Sequence, residues 1–188
     1  MEAVVRHHVL SLDDYFAVDR GSTVRHEFAD GQVYVMAGGS PRHDYLESRV
    51  SQRFARRLEG GPCVVMTSNR RLSTPDGLYS YADGSVFCGD LTYGPEQTAT
   101  NPVVVIEVLS DSTRAYDRGE KLERYKSIPS LRHVVLVEQS VVRVDLWSRG
   151  PLGWACAPLG PDDVLNLDAL GVVVPVAELY EGSDRFPT

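Results

Sequence analysis

Residues Val103 to Lys121 read VVVIEVLSDSTRAYDRGEK. A run of β-branched residues carries a single acid, Glu107, in its middle. A polar turn follows, and then a helix begins whose first turns hold Asp117 and Lys121. A carboxylate inside an apolar strand is costly to bury unless a metal or a partner charge meets it. The stretch therefore predicts a strand at Val103–Leu109, a helix from about Thr113 to Ser127, and a site between them.

A partner for Glu107 lies upstream. Leu78–Cys88 alternates as a strand, with Tyr79, Tyr81, Asp83, Ser85 and Phe87 on one face and Ala82, Gly84 and Val86 on the other. If the two strands are neighbours, Asp83 and Glu107 converge on one hard cation. Mg²⁺ takes oxygen ligands and binds one or two carboxylates, and the Val108 carbonyl can add a third ligand. Asp117, Lys121 and Tyr125 are spaced i, i+4, i+8 and share one helical face. If that face packs over the sheet, the Lys121 ammonium reaches a water or a phosphate oxygen. Two acids and a lysine suit metal-assisted phosphodiester hydrolysis. Plainer roles stand beside these: Asp83-Gly84 as a turn, and Lys121 as one surface charge in the Glu120-Lys121-Glu123-Arg124 pattern.

Working outward, Ser11 caps a helix to about Asp19 with Leu12, Tyr15 and Phe16 inward, and Gly21 ends it. Asp30-Gly31 joins two strands, Val24–Ala29 and Gln32–Ala37, as a hairpin. Glu27 lies in the first, on the face opposite Phe28. Ser40 and Pro41 open a long helix to about Leu58 with Tyr45, Leu46, Val50, Phe54 and Leu58 as its apolar stripe. Arg49, Arg53, Arg56 and Arg57 fall on its other faces, as solvated charge or, less simply, as phosphate contacts. Cys63–Thr67 is a short strand that Asn69–Leu72 continues past a bend. Pro75-Asp76-Gly77 is a turn, and Gly89–Asn101 a polar loop. His133–Glu138 and Val141–Ser148 form a hairpin, followed by strands at Gly153–Pro158 and Val172–Val174 and a helical turn at Val176–Tyr180. The final GSDRFPT is expected to fray. This order implies an α/β (α+β) fold with a mixed central sheet flanked by helices, in one domain spanning residues 1–188.

Several classes are excluded or disfavoured. No G-x-G-x-x-G, G-x-x-x-x-G-K-[ST] or G-x-S-x-G follows a strand, which removes the common nucleotide-binding and serine-hydrolase frames. No apolar run is long enough to span a bilayer, so no membrane association is expected. MEAVVRHHVL lacks the apolar core of a leader, which points to the cytoplasm. Cys63, Cys88 and Cys156 are odd in number without metal-like spacing, so reduced thiols are expected rather than a disulfide. A formal net charge of −7 argues against a constitutive, non-specific nucleic-acid binder. It leaves open a nuclease whose carboxylates hold cations.

At these residues the sequence resembles the Uma-two family, within the PD-(D/E)xK nuclease superfamily. The resemblance runs through SLDDYF, HEFADGQVYVMAGGSPRHDYL, YADGSVFCGD and VVVIEVLSDSTRAYDRGEKLERYKSIPSLRHVVLV. It implies a restriction-endonuclease-like core with Asp83 and Glu107 as metal ligands. The superfamily lysine commonly sits two residues after the acid, where this chain has Leu109; in the family it comes from the next helix, matching Lys121. Glu27 matches a family acid near the same pocket, and His43 a histidine at the start of the long helix. Ala82 replaces a usual proline before Asp83, and Asp111 replaces one in the turn. Pro75-Asp76 spells the motif, but its following residues do not fit the family strand.

The expected protein is thus an Mg²⁺-dependent endonuclease, with Mn²⁺ as a possible substitute, acting on DNA. In it Asp83, Glu107 and the Val108 carbonyl hold metal, Lys121 orients water, and Glu27 binds a metal water. A homodimer follows from the class, since cutting a duplex commonly uses two sites. The rival is a silent nuclease fold serving as an interaction or nucleic-acid-binding module; a third is a hydrolase of smaller phosphoesters.

Overall fold

The computed structural model describes residues 9–36 and 38–188. The leader reading of the first eight residues and the end of the second expected strand, Ala37, lie outside the described residues. Ser11 caps α1 (Leu12–Gly21) through reciprocal hydrogen bonds with Asp14. The hairpin β1 (His26–Ala29) and β2 (Gln32–Val35) turns at Asp30 and Gly31, both at positive φ, 51° and 77°. In α2 (Pro41–Leu58) the Ser40 hydroxyl accepts from the His43 N–H. Four strands follow: β3 (Cys63–Thr67), β4 (Arg71–Ser73), β5 (Tyr79–Tyr81) and β6 (Gly84–Cys88). Next come β7 (Val104–Leu109), α3 (Arg114–Arg118), α4 (Glu120–Lys126), β8 (His133–Glu138), β9 (Val144–Gly150) and β10 (Gly153–Leu159). The described chain closes with β11 (Val164–Leu167), β12 (Val172–Pro175) and α5 (Val176–Tyr180).

The larger sheet has the order β10-β9-β8-β7-β6-β3, and β7 with β8 is its one parallel pair. The sheet is therefore mixed, as expected. Every residue of β7 is buried, because both faces of the strand are covered. Val104, Ile106 and Val108 pack towards Leu46, Val50 and Phe54 of α2. Val105 and Leu109 pack towards Leu122 and Tyr125 of α4. Alternation then puts Glu107 on the α4 face, where an apolar neighbour would otherwise sit.

A smaller antiparallel sheet has the order β2-β1-β5-β4. Tyr15 and Phe16 of α1 pack against Phe28 and Tyr79 to hold it. The β11–β12 pair closes over α2, burying Leu165 and Leu167.

Several expectations need correction. Leu78–Cys88 is two strands: β5 belongs to the smaller sheet, β6 to the larger, and Asp83 lies in the bend between them. Gly84 permits the crossing, since a Cβ there would lie 3.1 Å from Ile106 Cδ1. The helix after Glu107 breaks at Gly119, whose φ/ψ of −109°/−105° lies outside the helical region. A Cβ at Gly119 would also come within 2.9 Å of the Ala115 carbonyl oxygen. The continuation past Cys63–Thr67 is β4, in the other sheet. β11 was not anticipated. The C-terminal residues do not fray: Phe186 stacks on Tyr45 with ring centroids 4.7 Å apart, and the Arg42 N–H donates to the Pro187 carbonyl at 3.2 Å. Arg53 and Arg57 are engaged by Glu178 and Glu181 of the α5 region at 2.6–3.2 Å, and Arg49 also pairs with Glu181. Arg49, Arg53 and Arg57 are committed to acids of the fold rather than free for phosphate, whereas Arg56 is exposed.

Cys63 and Cys88 form a disulfide, contrary to the expectation of free thiols. They are partners in the β3–β6 register, with Cα atoms 4.0 Å apart, a proximity that spacing along the chain does not disclose. Cys156 is free and exposed. Alkylation followed by intact-mass measurement is expected to label Cys156 alone in the folded, unreduced protein, and all 3 cysteines after reduction and denaturation. Full labelling without reductant would show that the bond does not form. Closing a 25-residue separation is worth about 3 kcal/mol, so urea unfolding should shift by that order on reduction.

Candidate metal centre

The two sheets meet where Asp83 leaves β5 for β6, and the acids converge at this junction. Asp83 Oδ2 accepts from the Val108 N–H at 2.6 Å. Because the N–H and C=O of one strand residue point to the same edge, the Val108 carbonyl faces this side too. The β6–β7 pairing has already ended at Gly84 opposite Ile106, so no β6 residue pairs with Val108.

Glu107 projects from β7 towards α4. Its Oε1 accepts from the Tyr125 hydroxyl at 2.7 Å and lies 3.0 Å from Lys121 Nζ. Ser80 Oγ lies 3.0 Å from the same Tyr125 hydroxyl. Lys121 also lies 2.9 Å from Glu27 Oε1 of β1 and 3.6 Å from Asp117 Oδ1 of α3. The break at Gly119 sets α3 and α4 at an angle, yet Asp117 and Lys121 still meet across it. Arg118 pairs with Glu138 at 2.6 Å and with Asp145, and Arg114 pairs with Glu138 at 3.0 Å, which ties α3 to β8 and β9.

Glu27, Asp83, Glu107, Asp117 and Lys121 are all at most 8% exposed. Three carboxylates, Glu27, Glu107 and Asp117, thus surround one ammonium, and Asp83 is buried near them. Burial pushes the Glu107 carboxyl up to about 8 against the pull of Lys121, with Asp83, Asp117 and Glu27 adding to the rise. Burial opposes the charged form of Lys121, but Glu107, Glu27 and Asp117 hold the ammonium well above its ordinary value. His43, in the first turn of α2, places Nε2 3.4 Å from Asp83 Oδ2. Burial alone would lower His43; contact with Asp83 outweighs it and lifts the imidazole to about 9. Even with His43 charged, negative charge remains in excess. Such an excess suits a divalent cation and is costly to bury without one.

These groups line a cavity of about 810 Å³ that Glu27, His43, Asp83, Glu107, Asp117 and Lys121 share with the Val108 backbone. Glu27, His43, Asp83, Glu107, Val108 and Lys121, singled out in the sequence, are therefore brought together, and the α2 arginines are not. Asp117 and Tyr125 were not given roles there, although their i, i+4, i+8 spacing with Lys121 carried the signal. Gln139, buried beside the cavity and bonded to Ser40 at 3.1 Å, had none. His43, Asp44 and Glu47 also bring one ligand atom each within 4.8 Å of one another. The Asp44 side chain is 68% exposed and Glu47 accepts from Ser68 at 2.7 Å, so this cluster is partly solvated and partly satisfied. The buried excess at Asp83 and Glu107 is the stronger demand for a cation.

The geometry now has relatives to stand beside. A crystal structure described as that of "a putative nuclease belonging to DUF820", from Anabaena variabilis, superposes with a TM-score of 0.75 at 13% identity, covering 92% of this chain and 98% of that one. The two chains thus share a fold. Residues 12–177 match the Uma2 family model, described as "Putative restriction endonuclease". Uncharacterized protein slr1290 of Synechocystis is 34% identical over 175 residues, 92% of each chain. A second Synechocystis protein, sll1609, is 26% identical over 163 residues, covering 85% of this chain and 92% of its own. The chain belongs to the Uma2 family.

Proposed function

We propose that the protein is a divalent-metal-dependent nuclease hydrolysing phosphodiester bonds, with DNA as substrate. One observation carries this: a buried excess of carboxylate charge around Lys121, opening on a cavity. Asp83 and Glu107, with the Val108 carbonyl, would hold Mg²⁺, or Mn²⁺ in its place. Glu107 Oε1 is taken by Lys121 and Tyr125, which leaves its second oxygen for metal. Bound there, the cation supplies charge for the phosphate and acidifies water. Lys121 orients the attacking water and offsets charge that develops on the phosphate. Glu27 and Asp117 fix the ammonium, Glu27 also accepts from a water in the cavity, and His43 holds Asp83. A homodimer and a cytoplasmic setting belong to the same reading, although the Cys63–Cys88 bond pulls against the second, since cytosolic thiols are ordinarily reduced.

Titration calorimetry with Mn²⁺, paired with cleavage assays on DNA and RNA, tests the proposal. Asp83→Ala and Glu107→Ala are expected to lose both the binding heat and cleavage while keeping the wild-type circular dichroism. A wild-type protein that binds neither Mg²⁺ nor Mn²⁺ and cuts no nucleic acid would overturn it. That outcome would favour the second reading, a silent binding module, for which the scarcity of basic side chains around the cavity speaks: Lys121 and His43 are its cationic groups among the described residues.

A further inference from the structure

Glu27 and Tyr34 are directly opposed across the β1–β2 hairpin. Opposed residues leave a sheet on the same face with their Cβ atoms about 5 Å apart. Glu27 turns in to meet Lys121, so Tyr34 stands beside the centre at the cavity wall, 48% exposed. Its hydroxyl donates to Gln32 Oε1 at 3.0 Å, which steadies the ring at the mouth. Met36 continues the same wall. A second ring, Tyr116 of α3, lines the cavity, and burial with the nearby Glu27 carboxylate keeps its phenol in the neutral form. Its hydroxyl is buried and has no hydrogen-bond partner among the described residues. With the hydroxyl buried, the ring is what Tyr116 offers to the cavity. An aromatic side chain left half in solvent beside a buried acid is not serving the core.

The charge of the cavity points the same way. Glu27, Asp83, Glu107, Asp111, Asp117 and Glu120 line it, against Lys121 and His43. A protein that tracks duplex DNA neutralises several phosphates with Lys and Arg. Here affinity has to come from the metal and from the rings. In a continuous duplex the π-faces of the bases are hidden by their neighbours. Only an unpaired base offers a face to tyrosine, and each such stack is worth about 5- to 150-fold in affinity.

We infer that Tyr34 and Tyr116 receive an unpaired nucleobase next to the scissile phosphate, so that the substrate is single-stranded nucleic acid rather than continuous duplex. Free strands, flaps and frayed ends share this chemistry. The inference rests on the metal-nuclease reading above, and its test separates the two.

Labelled oligothymidylate, oligouridylate and a blunt DNA duplex of equal length are bound to the intact protein in Ca²⁺ buffer and followed by fluorescence anisotropy. Single strands are expected to bind at least about tenfold more tightly than the duplex, with a shallow salt slope of about −1. The two single-stranded probes show whether DNA or RNA is preferred. Tyr34→Ala, on an exposed edge strand, should lose about tenfold on single strands and little on duplex, while Tyr34→Phe retains most of the affinity. Equal or tighter binding of duplex overturns the inference, as does unchanged binding by Tyr34→Ala or no binding of any strand. Mn²⁺ titration of the same preparation decides the other question: metal binding lost on Asp83→Ala leaves the nuclease reading standing when strand preference fails. Absence of metal binding removes both.

Discussion

Lys121→Met is expected to destabilise the metal-free protein by about 3–5 kcal/mol, the cost of leaving buried charges without their partner. Few single substitutions are so large, and the reason here is the count of acids. Glu27, Glu107 and Asp117 all lie within 3.6 Å of the ammonium, and none has another cation within salt-bridge distance among the described residues. Methionine fills similar space, so the loss measures charge rather than a cavity. Urea unfolding of both proteins in chelator reads it directly. Mn²⁺ should then restore part of the loss and bind Lys121→Met more tightly than wild type, because a competing positive charge has gone. Cleavage should nevertheless vanish, since water is no longer oriented. Equal stability of variant and wild type in chelator would mean that the acids are solvated or protonated, and the charge account would fall.

The affinity for Mn²⁺ is expected to rise about tenfold for each pH unit from 6 towards 8 and then level off. Metal binds the carboxylate, so it must displace whatever proton Glu107 carries, and burial lifts that carboxyl to about 8. Calorimetry in buffers of different ionisation enthalpy should show about one proton released per metal at neutral pH. Glu107→Gln should abolish the slope along with most of the affinity. The same shift has a consequence for the metal-free fold. A carboxyl raised above its ordinary value of 4.5 holds more protons folded than unfolded, so its contribution to stability is lost as pH rises from about 4.5 through about 8. Lys121 acts at the other end: its ammonium favours folding below its ordinary value, and that contribution disappears only at strongly alkaline pH. A Kd that is flat across neutral pH would count against Glu107 as the titrating ligand.

Much of the scaffold could be read from local patterns. The β-branched run at Val103–Leu109, the Asp30-Gly31 turn and the Ser40-Pro41 start each act within a few residues, and each forms as expected. What could not be read depends on partners distant in sequence. Tyr79–Tyr81 and Gly84–Cys88 alternate alike, so nothing in the pattern says that one joins the smaller sheet and the other the larger. Cys63 and Cys88 meet only through the β3–β6 register. Glu27 illustrates the same limit: its place in the site depends on how the smaller sheet packs, and the sequence offered it through family resemblance rather than spacing. Gly119 is different. A lone glycine in a helical pattern costs about 1 kcal/mol, too little to announce a break by itself.

Lys121 touches Glu27 on one sheet and Glu107 on the other, and this makes it a gauge of their alignment. The smaller sheet is positioned by Tyr15, Phe16 and Phe28, a cluster with no member in the cavity. Any slip in that aromatic contact would move Glu27 relative to Glu107 and split the two short ionic contacts. The chemistry is thus geared to a remote joint: the fit of α1 on its sheet sets the tolerance to which the centre is assembled.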